Sequence, residues 1–392
     1  MSITSKERNY FTRLCTTKIA EDNEKIYCVS FAFSRLYEID KKTGEVINLK
    51  IKRNESEPDF SYYSIEKVNE KLILIPLKPN EIVVYDLISK SADYIELKSL
   101  DYISKRKEVA KNAKFVCSYS KDNYVYLLGA FYPAIIKFNV DTYETEYITE
   151  WVGRLEEKKN FDYNLVTGCT AQGDKLFMSM GYYPSVMVMD TKDNSIEIIK
   201  INTPYNGFSG ICLKEDDIWL TTFGEGDNGV VRYNMISGRT DNINIIKKES
   251  RINFPFSIPY CIEDYVYIMP QRAKHVFKID VKTNNVEIVN SLDFLFDEED
   301  VKQYLEVRCY PIKQIDEIIT FIETKDFSWI EYNTKTDTFD RNTYPYQTDF
   351  ESRIAERSCE IMKANTSNQV NENSVFSLNR FLDYLINSEI TH

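Results

Sequence analysis

Residues able to move protons are sparse in this 392-residue chain. Of its two histidines, His392 is the last residue and His275 sits in PQRAKH beside Arg272 and Lys274. A triad or a metal site needs further partners at defined positions, and the sequence around either histidine supplies none. Glu225 and Asp227 lie in GEGDNG, and Glu323 closes the run IITFIE. Acids of this kind could serve a glycosidase, yet no spacing ties them together. GEGDNG is not a phosphate loop, because no Lys-Ser/Thr pair or helix follows it. The sequence also lacks a nucleophile elbow and a zinc-binding helix motif.

Cysteine is the other candidate for chemistry. Cys117, Cys169, Cys212, Cys261 and Cys309 recur along the chain, Cys15 fits the same series, and Ser64 fills the one missing place. No CxxC pair occurs, and metal sites usually show one. The expectation is small residues that pack, with no metal and no cofactor.

Recognition chemistry is better represented. Two aromatic-aromatic-Pro corners stand out, Phe131-Tyr132-Pro133 and Tyr182-Tyr183-Pro184. Trp151 and Arg154 follow the first; Tyr205 and Phe208 lie in NTPYNGFSG, and Phe254 in NFPFSIP.

These residues are positioned by a repeat. Asp40, Asp86, Asn139, Asp190, Asn234, Asp280 and Asn333 each follow a run of the type RLYEI or HVFKI, at spacings of 44 to 53 residues. The residue just before the Asx is always large and apolar, and so is the one three before it. That is the period-two mark of a strand with one dependably buried face. Three residues after the Asx comes Thr, Ser or, once, Asp. An Asx side chain can accept from the backbone two residues on and so set a tight turn. A further apolar run follows each turn, and two more runs precede it, joined by short polar corners. Four strands per period, seven times over, point to an all-β, seven-bladed β-propeller of four-stranded antiparallel blades.

On the apolar-x-apolar-[DN]-x-x-[ST] hairpins YEIDKKTG, FKIDVKTN and IEYNTKTD, the chain resembles the broad propeller superfamily of kelch, streptogramin-lyase-like and related bacterial repeats. The resemblance covers roughly 13–345 and implies a fold rather than a reaction. The double glycine of kelch and the Trp-Asp of WD40 are missing here. A streptogramin-lyase type of site is histidine-centred, and this chain offers one internal histidine.

The expected organisation is an N-terminal segment 1–12, the propeller 13–345, and a helical extension 346–392 whose 375–390 stripe docks on the propeller or on a partner. A solvated helix is expected within 98–112, and an acidic-capped one within 291–307, started by Asp297. Net charge is −12, from 61 acidic against 49 basic residues. With no basic stripe, a nucleic-acid partner is not expected. No apolar run is long enough to span a bilayer and no signal-type segment opens the chain, so a cytoplasmic protein is expected.

In a propeller, loops joining strands two and three share an end with the connections between blades, and elaborated loops on a rigid scaffold carry binding. The expected binding face therefore gathers Phe131, Tyr132, Trp151, Arg154, Tyr182, Tyr183, Tyr205, Phe208, Glu225, Asp227, Phe254, Arg272, Lys274 and His275. The favoured function is a non-catalytic scaffold engaging a peptide or protein. The alternative is a lyase or hydrolase acting on a carbohydrate or modified peptide, with His275, Arg272 and an acid within hydrogen-bond reach.

Overall fold

A computed structural model describes residues 18–29, 35–51, 61–100, 114–155, 166–223, 229–245, 256–270, 273, 275–295, 309–323 and 328–343. Seven sheets account for nearly all of them, each of four antiparallel strands hydrogen-bonded in chain order. The blades run Ile19–Leu49, Tyr62–Glu96, Phe115–Ile148, Val166–Lys200, Phe208–Asn244, Phe256–Ile288 and Cys309–Thr343. The fold is all-β, a seven-bladed β-propeller, as the repeat predicts.

The seven Asx corners form as their chemistry dictates. Asp40 Oδ1 accepts from the backbone N–H of Lys42 at 3.0 Å and of Thr43 at 2.7 Å. Asp280 does the same for Lys282 and Thr283, and Asn333 for Lys335 and Thr336. Four residues after each Asx the backbone turns left-handed: Gly44, Lys90, Tyr143, Asn194, Gly238, Asn284 and Asp337 all have φ between 54° and 73°. In blades 2 to 7 the corner between strands one and two also starts left-handed, at Asn69, Asp122, Gly173, Glu215, Glu263 and Asp316.

One hydrogen bond ties the two corners of a blade together. The residue after the Asx donates its N–H to the carbonyl of the strand one–two corner, as Leu87 does to Glu70, Val140 to Asn123 and Val281 to Asp264, at 2.8–2.9 Å. The same bond occurs in all seven blades. Both tight corners of a blade thus share one end, and the other end receives the strand two–three loop and the connections to neighbouring blades.

The chain divides into two units, one drawn from Met1–Lys98 with Lys302–His392 and the other from Ser99–Val301. In the first, blade 1 is covered on one side by blade 2, where Tyr27, Leu36, Tyr62 and Leu74 share a cluster. On its other side Ile19, Cys28 and Ile39 meet Ile322 and Trp329 of blade 7. In the second unit, blades 3 and 4 bury Leu128, Ile135, Met178 and Met187 together. Blades 4 and 5 bury Val186, Phe208 and Leu220, and blades 5 and 6 bury Trp219, Phe256 and Ile268. A single four-stranded sheet has two faces to remove from water, and a neighbour on each side removes both.

The expected dependably buried face is present, with the intervening Lys137, Arg232 and Lys278 half-buried and Glu331 exposed, and in places the second face is buried too. The third strand of blade 4, Ser185–Asp190, is buried at every position but its last. Even Glu38, between two apolar neighbours in blade 1, is buried, and Lys25 reaches it at 3.0 Å.

The cysteines do not fall at one equivalent place. Cys117, Cys169, Cys212 and Cys261 stand four, three, two and one residues before the ends of their first strands, Lys121, Gln172, Lys214 and Ile262. Side chains alternate along a strand, so this one-residue stepping pairs them face to face. Cys117 and Cys169 belong to the blade 3–4 cluster, and Cys212 and Cys261 to the blade 5–6 cluster.

Trp151 and Arg154, expected in a loop, lie on a short helix α1, Glu150–Leu155. The described part of 291–307 is a 3-10 turn, Asn290–Leu295, that buries Leu292. The helices expected at 98–112, from Asp297 onward and within 346–392, the N-terminal segment 1–12, and the 375–390 stripe fall mainly or wholly outside the described residues. Among the described residues no helix is long and apolar enough to cross a membrane.

Candidate functional site

The two aromatic-Pro corners are the same structure built twice. Ala134 N–H donates to Tyr132 O at 2.8 Å, and Ser185 N–H to Tyr183 O at 2.7 Å. Each bond spans three residues around a proline, whose fixed φ suits so tight a turn. In blade 3 the loop is pinned further, because Ala130 and Tyr132 both donate N–H to Lys114 O.

The rings of these corners mostly point inward. Phe131, Tyr132 and Tyr183 are 5 %, 1 % and 5 % exposed, and Phe208 and Trp151 are fully buried. Tyr132 packs on Phe115 with ring centres 5.1 Å apart. Tyr183 and Trp151 fill the blade 3–4 core, and Phe208 the blade 4–5 core. Trp151 also donates its Nε1–H to Ile148 O at 3.0 Å. These five were expected as contact residues; the structure gives them to the scaffold, because an aromatic ring near a blade junction has a neighbouring blade to bury itself against.

What stays accessible between blades 4 and 5 is a set of half-buried and exposed residues arranged around the buried Phe223 and Gly207. Half-buried Tyr182 sets its ring edge-on to Phe223, with centres 5.1 Å apart. Phe223 N–H donates to Gly207 O at 2.9 Å. Gly207 is forced by the close approach of the blade 4 corner, since a Cβ there would lie 1.8 Å from Gly181 O. Two residues earlier, half-buried Tyr205 lies over Gly229, where a Cβ would stand 2.2 Å from the tyrosine oxygen. That hydroxyl donates to Asn244 Oδ1 at 2.9 Å, and Thr203 Oγ1 donates to Asn242 Oδ1 at 2.6 Å. Pro204 and Asn206 are exposed between them. The result is two ordered tyrosine rings among amides and hydroxyls, held by two glycines that admit no side chain. Phe223 escapes a sequence reading, as do Asn206, Asn242 and Asn244, since short polar residues in loops and edge strands carry no pattern.

Arg154 belongs elsewhere. Helix α1 turns back along blade 4, and the guanidinium donates to Ile196 O at 2.8 Å. Ile196 pairs with Met189, beside the Asp190 corner, so the charge is held toward the tight-corner end.

His275 gains a partner that the sequence hides. It precedes the third strand of blade 6, and Asp293 lies in the 3-10 turn after the fourth. The two meet at 2.7 Å, Nδ1 to Oδ1, both partly exposed. The imidazole stands edge-on to Phe277. An Asp on Nδ1 orients the ring and favours the tautomer protonated there. Among the described residues no group of three His, Cys, Asp or Glu side chains could hold a metal ion. Glu225, Asp227, Phe254, Arg272 and Lys274 lie outside the described residues.

Neither a scan of the sequence against protein-family models nor a search of curated proteins gives a match. Solved structures do match, by shape. The chain is similar to the tricorn protease over 96 % of its own length and 40 % of that protein's, with a TM-score of 0.52 and 10 % identity. It is similar to Kluyveromyces lactis Hsv2 carrying a Gly-Ser linker in place of loop 6CD, over 84 % of this chain and 99 % of that one, with a TM-score of 0.50 and 9 % identity. The WD40 repeats of RRP9 align over 70 % of this chain and 79 % of theirs, at a TM-score of 0.48 and 12 % identity. At such identities the likeness is one of fold, which unrelated activities share.

Proposed function

We propose that the protein is a binding scaffold that engages a peptide or protein through the loop-bearing end of blades 4 and 5. The observation that carries this reading is the Tyr182–Phe223–Gly207–Tyr205–Asn244 patch. Its two tyrosine rings are partly exposed over a buried Phe223 and are held in place by packing and hydrogen bonds, so little side-chain entropy is lost on contact. Tyrosine on a rigid surface is a frequent anchor of protein interfaces. The amides of Asn206, Asn242 and Asn244 offer donors and acceptors around the rings, as a polar rim does.

A phage-displayed peptide library selected on the immobilised protein tests this. Selected peptides should lose about tenfold or more in affinity on Tyr182→Ala with Tyr205→Ala, a loss of roughly 1.4 kcal/mol or more. Tyr205→Phe, which keeps the ring, should lose much less. Unchanged affinity in the double variant, with a melting temperature near wild type, would refute the reading.

A second reading rests on the Asp293–His275 pair, whose Nε2 is placed to accept a proton in a propeller lyase or hydrolase acting on a carbohydrate or modified peptide. It predicts turnover of such substrates that His275→Asn and Asp293→Asn both abolish.

A further inference from the structure

We propose that Cys212 and Cys261 are a redox-responsive pair, and that a peroxide converts them into a disulfide joining the first strands of blades 5 and 6. The argument begins two residues earlier. Gly210 faces blade 6 so closely that a Cβ there would lie 2.5 Å from Ser257 O and 2.9 Å from Ile258 Cα. It would also lie 2.8 Å from Pro259 Cδ. The first strands of these blades are therefore in close backbone contact at this point, and a disulfide needs such proximity.

Register then carries the contact forward. Gly210 stands four residues before the end of its strand and Pro259 three before the end of its own, the same one-residue step that separates Cys212 from Cys261. Two residues on, alternation returns the side chain to the same side. Cys212 thus faces blade 6 and Cys261 faces blade 5, and both side chains pack in the cluster that the two blades share. In the comparable couple between blades 3 and 4, Cys169 Sγ–H points to Ser118 O at 3.7 Å.

The surroundings assign the roles. Cys212 is 8 % exposed and lies opposite the buried Trp219; burial, with Cys261 beside it, pushes its thiol up. Cys261 is half-buried, so it meets the oxidant first. Its thiolate attacks hydrogen peroxide, the O–O bond breaks, and a sulfenic acid and hydroxide form, the hydroxide taking up the proton that the thiol released. The Cys212 sulfur then displaces the sulfenic oxygen, which leaves as water with the Cys212 proton. In sum two thiols are oxidised, one peroxide is reduced, and two waters are released.

The test uses the full-length wild-type protein, so it does not depend on any variant folding. Treatment with hydrogen peroxide, denaturation in an alkylating agent and peptide mapping should yield one linked pair of peptides, carrying Cys212 and Cys261. The mass should fall by two hydrogens, and dithiothreitol should restore it. Cys28 is an internal control: it is fully buried and burial pushes its thiol up to about 12, so it should remain a thiol. In C212S, Cys261 should stop at the sulfenic acid and react with a dimedone probe. Recovery of Cys212 and Cys261 as alkylated thiols would overturn the proposal, as would scrambled links to Cys117 or Cys169.

Discussion

Gly210 has no room to grow, and that makes it a measuring point for the blade 5–6 junction. Gly210→Ala must push back either the Ser257 carbonyl or Pro259, and overpacking of this kind costs about 1–3 kcal/mol. The expected outcome is a lower melting temperature, with faster amide exchange concentrated in blades 5 and 6. At the same scale, side-chain type alone misjudged the aromatics. Phe131, Tyr132, Tyr183, Phe208 and Trp151 read as contact residues and are core, because a ring beside a blade junction looks the same in sequence whether it faces a neighbour or water. Tyr182 and Tyr205 came from the same reasoning and remain accessible. The Asp293–His275 contact was out of reach for another reason: the partners stand 18 residues apart, and only the return of the fourth strand of blade 6 brings them together.

The hairpin corner was the most legible element. An Asx, a hydroxyl three residues on and apolar runs to either side are a chemical specification, and the corners form as specified. The left-handed residue that completes each turn was not legible, because only Gly44 and Gly238 of the seven are glycine. Lys90 shows what that leaves to gain. Its φ is 54°, a conformation that costs an ordinary residue roughly 1–2 kcal/mol, while glycine loses about 0.5–1 kcal/mol in extra chain entropy. Lys90→Gly should therefore raise the melting temperature slightly, by at most about 1.5 kcal/mol of stability. Lys90→Val, stiff at χ1, should lower it. The same melting experiment distinguishes the two.

For the molecule as a whole, repetition carried the architecture. Seven copies of one pattern fixed the number of blades, whereas the contacts between blades depend on residues that the pattern leaves variable. Ion pairs between blades are an instance. Lys121 of blade 3 and Lys192 hold Asp174 of blade 4, and they lower its carboxyl from its ordinary 3.8 to about 2. At Glu21 of blade 1 burial pulls upward, but Lys313 of blade 7 and Lys41 together outweigh it. A carboxyl held low in the folded protein stabilises it above the unfolded value, and the contribution is lost as pH falls through the folded one. Wild type should therefore lose thermal stability between about pH 4 and pH 2. Asp174→Asn should lose less over that range, and added salt should narrow the difference; melting curves across pH and ionic strength check both.

The bond between the two tight corners of each blade has a consequence for how such a chain can change. That end is tightly constrained: its turns are short, and in every blade one backbone bond locks the two corners together. Gains and losses of length, visible in the uneven distance from one Asx to the next, have to be absorbed at the opposite end. The protein therefore has one end that tolerates rewriting and one that does not, and a new partner can be acquired by editing the first without disturbing the second.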